Sequence, residues 1–526
     1  MTREVRMKTR VHIYKQLPIT ILSILLISIL LLTSCNRQLT NEQQGESLSH
    51  FSETIGFPTQ TQGSPIIQVW NMSFNEIREQ LPYIKEAGFV TIQTSPVGDS
   101  IFQFPDYDGD VPTSEAVRDN IGTWWMLYQP RSLNIGNMLG TEEEFQQMIE
   151  AAHALGIHVI VDAIPNHMTS WWYEIDESLR IPEYFHAVPG DKTEFDRRIS
   201  NWSDRVDSRM SRLLGLMDLN TGNPTWQQLY MDFLGRLIDA GVSGFRYDAM
   251  VHIELPYPHD DERIASDFWP TIQAFVDQRV TEAGRIPFQY GEILDRWHGD
   301  YLRALPGMLV TADFYGSQMR RHYLQGRLGG WDTTNFHVTD YEGADASRFV
   351  TWVESHDTYG NAGDSRDITD EQMRIGWALI TARADTTPLF FVRPGEGFEN
   401  NGQMFLPNND GSYTNAWGFR DFFRDPTIIA LNWFSNYFVG QPEFLTTWND
   451  QVAIIERGEA EATTGIVMIN AGTEVQLVDF PVQMLDGEYT CQVTGKVYTV
   501  QSGRITGPEL KGQQVLVIFS SNGNKE

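Results

Sequence analysis

The sequence predicts an α/β fold: a (β/α)8 TIM barrel with a small domain inserted after the third strand and an all-β domain at the C-terminal end. Three observations carry this expectation. Eight short apolar runs recur between residues 66 and 392, most of them followed by a stretch with helical spacing. Apolar strands alternating with helices mark a parallel sheet covered on both faces, and eight such units close a barrel. The chain between the third and fourth runs, about 165–220, is too long for a plain loop. After about residue 440 the pattern changes to short strands separated by Gly, Asn and Asp turns, which reads as a compact β-sandwich.

The elements follow in order. IIQVW (66–70) is the first strand. Residues 74–87 place Ile77, Leu81, Ile84 and Ala87 on one helical face, and Gly88 stops them. FVTIQTSP (89–96) is the second strand; a long loop and a helix at about 141–155 lead to HVIVDAI (158–164). GFRYDA (244–249), FQYGEIL (288–294), LVTADF (309–314), FVTWVES (349–355) and PLFFV (388–392) complete the eight. The barrel is thus expected over 64–439, with its insert, and the β-sandwich over 440–526.

The N-terminal end has a different character. Arg3, Arg6, Lys8, Arg10 and Lys15 precede an apolar run from Leu17 to Leu32, and Leu32-Thr33-Ser34-Cys35 follows. A basic segment, an apolar segment and small residues form a secretory signal. The run is short for a spanning helix. Cys35 after this pattern resembles a bacterial lipoprotein box. Residues 1–35 are therefore expected to be a lipoprotein signal with lipid on Cys35. Residues 36–63, rich in Gln, Ser, Thr, Asn and Glu, are expected to be a flexible tether. The expected location is outside the cytoplasm, with membrane contact only through the lipid.

Composition narrows the partners. There are 39 Lys plus Arg against 69 Asp plus Glu, a net charge of −30, which repels phosphate backbones and argues against nucleic acid. Aromatics at 12%, with 15 Trp, argue against a disordered chain. They also suit a neutral partner with flat apolar faces, such as a sugar. Two cysteines, Cys35 and Cys491, leave the fold to its core rather than to disulfides.

In a parallel barrel, functional side chains gather at the C-terminal ends of the strands. The third strand ends in Asp162 and runs on to Asn166-His167. The fourth carries Arg246 and Asp248 and runs on to His252; the fifth ends in Glu292, and the seventh in Glu354-Ser355-His356-Asp357. Packing needs no such concentration of polar groups. Glycoside hydrolysis does: one carboxylate attacks the anomeric carbon while a second, protonated, serves the leaving oxygen. Neighbouring strands lie about 5 Å apart, close to the carboxyl separation of a retaining enzyme. Asp248 and Glu292 would occupy such strands. Arg246, two residues from Asp248 and on its face, would keep Asp248 ionised, and Glu292 would be the protonated partner.

At these residues the sequence resembles the α-amylase family, glycoside hydrolase family 13. DAIPNH (162–167), GFRYDAMVH (244–252), GEIL (291–294) and VESHD (353–357) resemble its four signature regions in order, and MDLN (217–220) a fifth. LYQP (127–130), NWSDR (201–205) and TPLFF (387–391) extend the likeness toward secreted bacterial α-amylases. The resemblance implies Asp248 as nucleophile, Glu292 as acid/base and Asp357 as the third carboxylate. Arg246, His167, His356, Tyr128 and Asp162 would surround the bound sugar: the arginine orienting the nucleophile, the histidines bonding hydroxyls, the tyrosine as platform, Asp162 in support. It also implies a structural Ca²⁺ joining insert to barrel, held by Asn166 and Asp218 side chains and by the Arg209 and His252 carbonyls. Val251 stands where the second motif usually has Lys, which puts one leaving-side sugar contact in doubt, and Ser355 stands where the fourth often has Asn. Trp124, Trp125, Trp171 and Trp172 either stack on glucose units or pack under long loops. The implied partner is an α-glucan polysaccharide or oligosaccharide, acted on by a monomer through retaining endo-cleavage of α-1,4 bonds. The alternatives are another α-glucan hydrolase or transglycosylase of the family, or a surface glucan-binding lipoprotein without catalysis.

Overall fold

The computed structural model describes residues 55–102, 122–188, 197–294, 296–333, 344–400, 404–409 and 411–519. The basic and apolar N-terminal segment, Cys35 and most of the expected tether lie outside these residues. Among the described residues, no helix is long and apolar enough to cross a membrane.

Eight strands close a parallel barrel: β1 (Ile66–Val69), β2 (Thr91–Thr94), β3 (His158–Ala163), β4 (Gly244–Tyr247), β5 (Phe288–Gly291), β6 (Leu309–Thr311), β7 (Phe349–Trp352) and β8 (Thr387–Phe391). Each pairs with its sequence neighbour, and β8 pairs with β1. They match the eight apolar runs because helices cover them outside and side chains fill them inside. Ile66, Ile160, Phe288, Tyr290, Leu309, Val350, Trp352 and Leu389 form that interior.

Helices α1 (Phe74–Glu86) and α2 (Glu142–Ala154) each open with a reciprocal cap, Ser73 with Glu76 and Thr141 with Glu144. Such caps satisfy N–H groups that the first turn cannot pair internally. The chain leaves the barrel after β3. It returns along a two-residue antiparallel bridge that pairs His167 with Asp218 and Met168 with Met217. The segment between carries one short helix, α3 (Arg205–Met210), and three single 3-10 turns among the described residues. The outer layer continues with α4 (Pro224–Ala240), α5 (Phe268–Glu282), α6 (His298–Ala304), α7 (Asp313–Arg321), α8 (Asp370–Thr381) and α9 (Pro426–Tyr437).

The last nine residues of the expected tether are part of the barrel instead. Ile55 and Thr61 are buried, and the Phe57 ring lies 6.1 Å from that of Trp433. The hydroxyls of Thr61 and Thr91 pair at 2.8 Å, and the Gly63 N–H donates to Thr387 Oγ1 at 3.0 Å. These contacts sit at the starts of β2 and β8, so the segment covers the closed end of the barrel. Its polar composition concealed this, because the Thr61 hydroxyl is satisfied by a barrel hydroxyl rather than by water.

The C-terminal part is two four-stranded antiparallel sheets. One orders β9 (Glu443–Trp448), β10 (Val452–Glu459), β11 (Ala462–Asn470) and β16 (Gln514–Phe519). The other orders β12 (Gln476–Pro481), β15 (Arg504–Leu510), β14 (Val497–Gln501) and β13 (Gly487–Thr490). Their facing sides bury Ile454, Ile466, Phe480, Tyr498 and Leu516, with Cys491 as a free buried thiol among them.

Arg457 on β10 joins this domain to the barrel. Its buried guanidinium donates to five carbonyls: Ala382 and Arg383 after α8, Phe438 and Gln441 after α9, and Pro442. Helix C-terminal carbonyls lack intrahelical partners, so one side chain satisfies two helix ends at once. Arg457→Met would keep the volume and orphan these carbonyls. It should cost about 3 kcal/mol, given the usual penalty for buried unpaired groups. A thermal melt should show a loss of several degrees; a shift below about 1 °C would mean the joint is held elsewhere.

Candidate active site

Strand register builds the site. Asp162 on β3 stands opposite Arg246 on β4, and Tyr247 stands opposite Gly291 on β5. Asp248 and Glu292 are therefore the first residues beyond two adjacent paired strand ends. The ladder still holds both. The Asp248 N–H donates to Ala163 O at 2.8 Å, and the Glu292 N–H to Tyr247 O at 2.9 Å. Ala249 then turns the chain sharply, with φ at 51°, and its N–H donates to Glu292 Oε2 at 2.9 Å. A left-handed alanine persists only where its surroundings over-determine it, and here it aims a donor at Glu292. Gly291 is required by closeness: a Cβ there would lie 1.7 Å from Met250 Sδ.

Arg246 sits at the centre. Its Nη1 lies 2.6 Å from Asp162 Oδ1 and 2.8 Å from Asp248 Oδ1, and its Nη2 lies 2.6 Å from Glu292 Oε1. One planar fork thus spaces the two candidate reacting carboxylates. The Tyr128 hydroxyl donates to Asp162 Oδ2 at 2.7 Å, and the Tyr128 ring stacks on His356 at 5.3 Å. Gln68 Nε2 lies 3.3 Å from His356 Nδ1. His167 Nε2 lies 3.1 Å from the Tyr128 carbonyl. Asp357 faces Glu292 and Asn361, which hold its carboxyl down against burial.

Exposure sorts these groups by reach. The Asp357 side chain is 34% exposed and those of Glu292 and Asp248 are 14% and 12%, whereas Asp162 is at 0% and Arg246 at 4%. Asp162 and Arg246, expected around the sugar, are buried, in contact with Tyr128, Asp248 and Glu292. Glu354 turns away from the mouth into a buried two-point ion pair with Arg393.

The electrostatics amend one expectation. Arg246 alone does not keep Asp248 ionised. Burial pushes Asp248 well above the usual carboxylate range; Arg246 opposes this, and Glu292, Asp162 and Asp357 add to the rise. Asp162 and Asp357 are also raised by burial, against Arg246. One guanidinium is thus shared among several buried carboxylates. Burial draws His356 and His167 down to about 4, with Arg246 adding to the effect on His356. Both imidazoles are therefore neutral hydrogen-bonding groups at ordinary pH.

The paired tryptophans divide. The Trp124 ring meets those of Trp70 at 5.6 Å and His356 at 5.8 Å, and so stands at the mouth. Trp172 packs edge-on against Phe185 at 5.1 Å inside the insert. Gln68 and Trp70, at the end of β1, went unnoticed in the sequence, since neither carries a charge or a motif.

The implied cation ligands are found in two pairs. Asn166 accepts the Leu219 N–H at 3.0 Å through its carbonyl, which sets it beside Asp218. Arg209 lies in the last turn of α3, where a helix leaves carbonyls unpaired. His252 contacts the same turn, its Nδ1 2.9 Å from Ser208 O. By chemistry, two side-chain oxygens and two carbonyls are the all-oxygen donor type that suits a hard cation. Burial raises Asp218 to about 6 despite its 2.6 Å contact with His186, whose other nitrogen lies 3.4 Å from Glu254. His186 and Glu254 were absent from the sequence-level set because only folding brings them to Asp218. Among the described residues, no group of three or more His, Cys, Asp or Glu side chains forms a metal cluster.

Fold and site together define a (β/α)8 barrel of the glycoside-hydrolase class. The family model described as alpha amylase, catalytic domain matches residues 73–297. An α-amylase of Clostridium acetobutylicum is 30% identical over 492 residues, covering 91% of this chain and 57% of its own. One from Butyrivibrio fibrisolvens is 30% identical over 86% of this chain and 47% of its own. The chain thus spans about half the length of these curated relatives. Among solved structures, a mutant α-amylase I of Eisenia fetida in complex with maltohexaose superposes with a TM-score of 0.66 at 18% identity, covering 88% of this chain and 99% of that one. An α-amylase of Geobacillus thermoleovorans complexed with acarbose gives 0.61 at 17% identity, over 88% and 99%. The chain belongs to the α-amylase family, glycoside hydrolase family 13.

Histidine signals in an NMR pH titration should place two imidazoles, His167 and His356, neutral from pH 8 down to about pH 5. A histidine assigned to either position and titrating near 6.5 would contradict the burial argument.

Proposed function

We propose that the protein is an α-amylase, cleaving internal α-1,4-glucosidic bonds of starch, glycogen and maltodextrins with retention of configuration. The observation that carries this reading is the bracing of Asp248 and Glu292 by one Arg246 fork at the ends of adjacent strands, with Asp357 facing Glu292. That compactness suits direct attack by a carboxylate and leaves little room for an intervening water between the two.

In the first step Asp248 attacks the anomeric carbon, and Glu292 gives its proton to the departing glucosidic oxygen. In the second, Glu292 takes a proton from water, which displaces the sugar from Asp248. Asp357, the most exposed of the three, is placed to bond sugar hydroxyls. Tyr128, stacked on His356 and walled by Trp124, offers a flat apolar face to a ring. The neutral histidines bond hydroxyls without adding positive charge near the forming oxocarbenium ion.

Asn166, Asp218 and the Arg209 and His252 carbonyls would hold the structural Ca²⁺, which when bound cross-links the insert to the barrel. We also propose that the mature protein is a monomer tethered outside the cytoplasm by lipid on Cys35.

Purified protein acting on amylose should release internal fragments carrying α-anomeric ends, read by NMR immediately after cleavage; β-anomers or no products would sink the reading. Glu292→Gln should lower kcat by about 10³-fold, within the range for lost acid/base catalysis, with an unchanged melting temperature. Chelation should lower the melting temperature and Ca²⁺ should restore it. Asn166→Ala should blunt that response, and an insensitive wild type would remove the cation from the account.

A further inference from the structure

Gln68 is the residue of the mouth that packing explains least. It lies on β1 two residues beyond Ile66, on the same inward face, and is 1% exposed. It lines the same cavity as Glu292, His356 and Asp357. Gln93, its register partner on β2, receives the Tyr290 hydroxyl on Oε1. Gln68 Oε1 has no hydrogen-bond partner among the described residues. Its Nε2 lies 3.3 Å from His356 Nδ1. A buried amide with one end unpaired costs stability that a methionine or leucine would not. What the amide gains is the contact with His356.

That imidazole, kept neutral by burial, has two ring nitrogens and one proton between them. Its ring stacks against those of Tyr128, 5.3 Å away, and Trp70, 6.3 Å away. Stacking holds the plane of the ring and is indifferent to which nitrogen carries the proton. The hydrogen bonds at the ring edge decide that. Nε2 lies 3.5 Å from Asp357 Oδ2. An ionised carboxylate only accepts, so this edge favours a proton on Nε2. The separation exceeds that of a charge-assisted bond, about 2.7–2.9 Å, so Asp357 by itself does not fasten the tautomer. At the other edge Nδ1 faces Gln68. An amide N–H there requires a lone pair on Nδ1 and leaves the proton on Nε2.

We propose that Gln68 is a positioning residue that fixes His356 as its Nε2–H tautomer, so that the imidazole donates to the sugar hydroxyl that itself donates to Asp357. The inference rests on the reading that Asp357 and His356 bind a sugar at this mouth. A hydroxyl has one proton to give and lone pairs to receive. Between Asp357 and an Nε2–H it satisfies both neighbours. Between Asp357 and a bare Nε2 it would face two acceptors with one proton, and one of them would stay unpaired. Gln68 thus acts on sugar binding at the cleavage point without touching the sugar.

The position of the proton can be read directly. In protein with nitrogen-labelled histidine rings, two-bond proton–nitrogen correlations near neutral pH should show His356 with Nε2 protonated and Nδ1 bare. The signal is identified by its loss in His356→Gln. A protonated Nδ1 overturns the proposal. The kinetic test is a double-mutant cycle. Gln68→Met keeps the length and removes the donor; it should lower kcat/KM for maltoheptaose about tenfold, the worth of one hydrogen bond. In a His356→Gln background the same change should cost less than about twofold, because the residue it acts through is gone. No loss in the single variant, or losses that multiply in the double variant, overturn the proposal; a glutamine with a merely structural role would give multiplying losses. Should Gln68→Met fail to fold, Gln68→Asn, which draws the amide back by a methylene, takes its place in the cycle. A wild type inactive on maltoheptaose would refute the hydrolase reading instead, and the spectrum would still decide the tautomer.

Discussion

The buried guanidinium of Arg246 is the constraint around which the rest of the mouth is arranged. It reaches Asp162, Asp248 and Glu292 together. An arginine suits this because its donors form a rigid fork and its charge survives burial. A lysine would offer a point charge with no fixed spacing. Removing water from so many carboxylates is costly, and a buried ion pair is weak evidence of stability. The arrangement is better understood as preorganisation: the barrel gives up stability to hold like charges close.

The barrel makes this arrangement possible. Main-chain bonds extend one residue beyond the paired ends of β4 and β5, so Asp248 and Glu292 inherit the precision of the sheet rather than the freedom of loops. Left-handed Ala249 and the space available only to Gly291 are the local costs of that placement. The aromatic wall follows the same logic. Tyr128 is fixed by its hydroxyl on Asp162 and by its ring on His356, and His356 is fixed in turn from Gln68. Polar atoms below hold apolar faces above.

The insert is tied to the barrel at its neck, where His167 pairs with Asp218 and Met168 with Met217 just beyond β3. Farther away, Arg457 performs a comparable task for the β-sandwich by gathering carbonyls from two helix ends.

Sequence alone specifies the barrel strands, because strands buried on both faces are written as apolar runs and the helices between them keep a helical period. It also specifies which residues reach the mouth, since Asp162, Asp248, Glu292 and Asp357 each end or follow such a run. These are short-range properties. Tertiary structure alone decided the rest. The packing of Ile55, Phe57 and Thr61 against the barrel, the separation of Trp124 at the mouth from Trp172 in the insert, and the pairing of Glu354 with Arg393 all join residues whose nearness is created only by folding. The same holds for charge. That Arg246 serves three carboxylates, so that Asp248 is raised rather than simply kept ionised, depends on distance and desolvation in three dimensions, and neither is encoded in the spacing of residues along the chain.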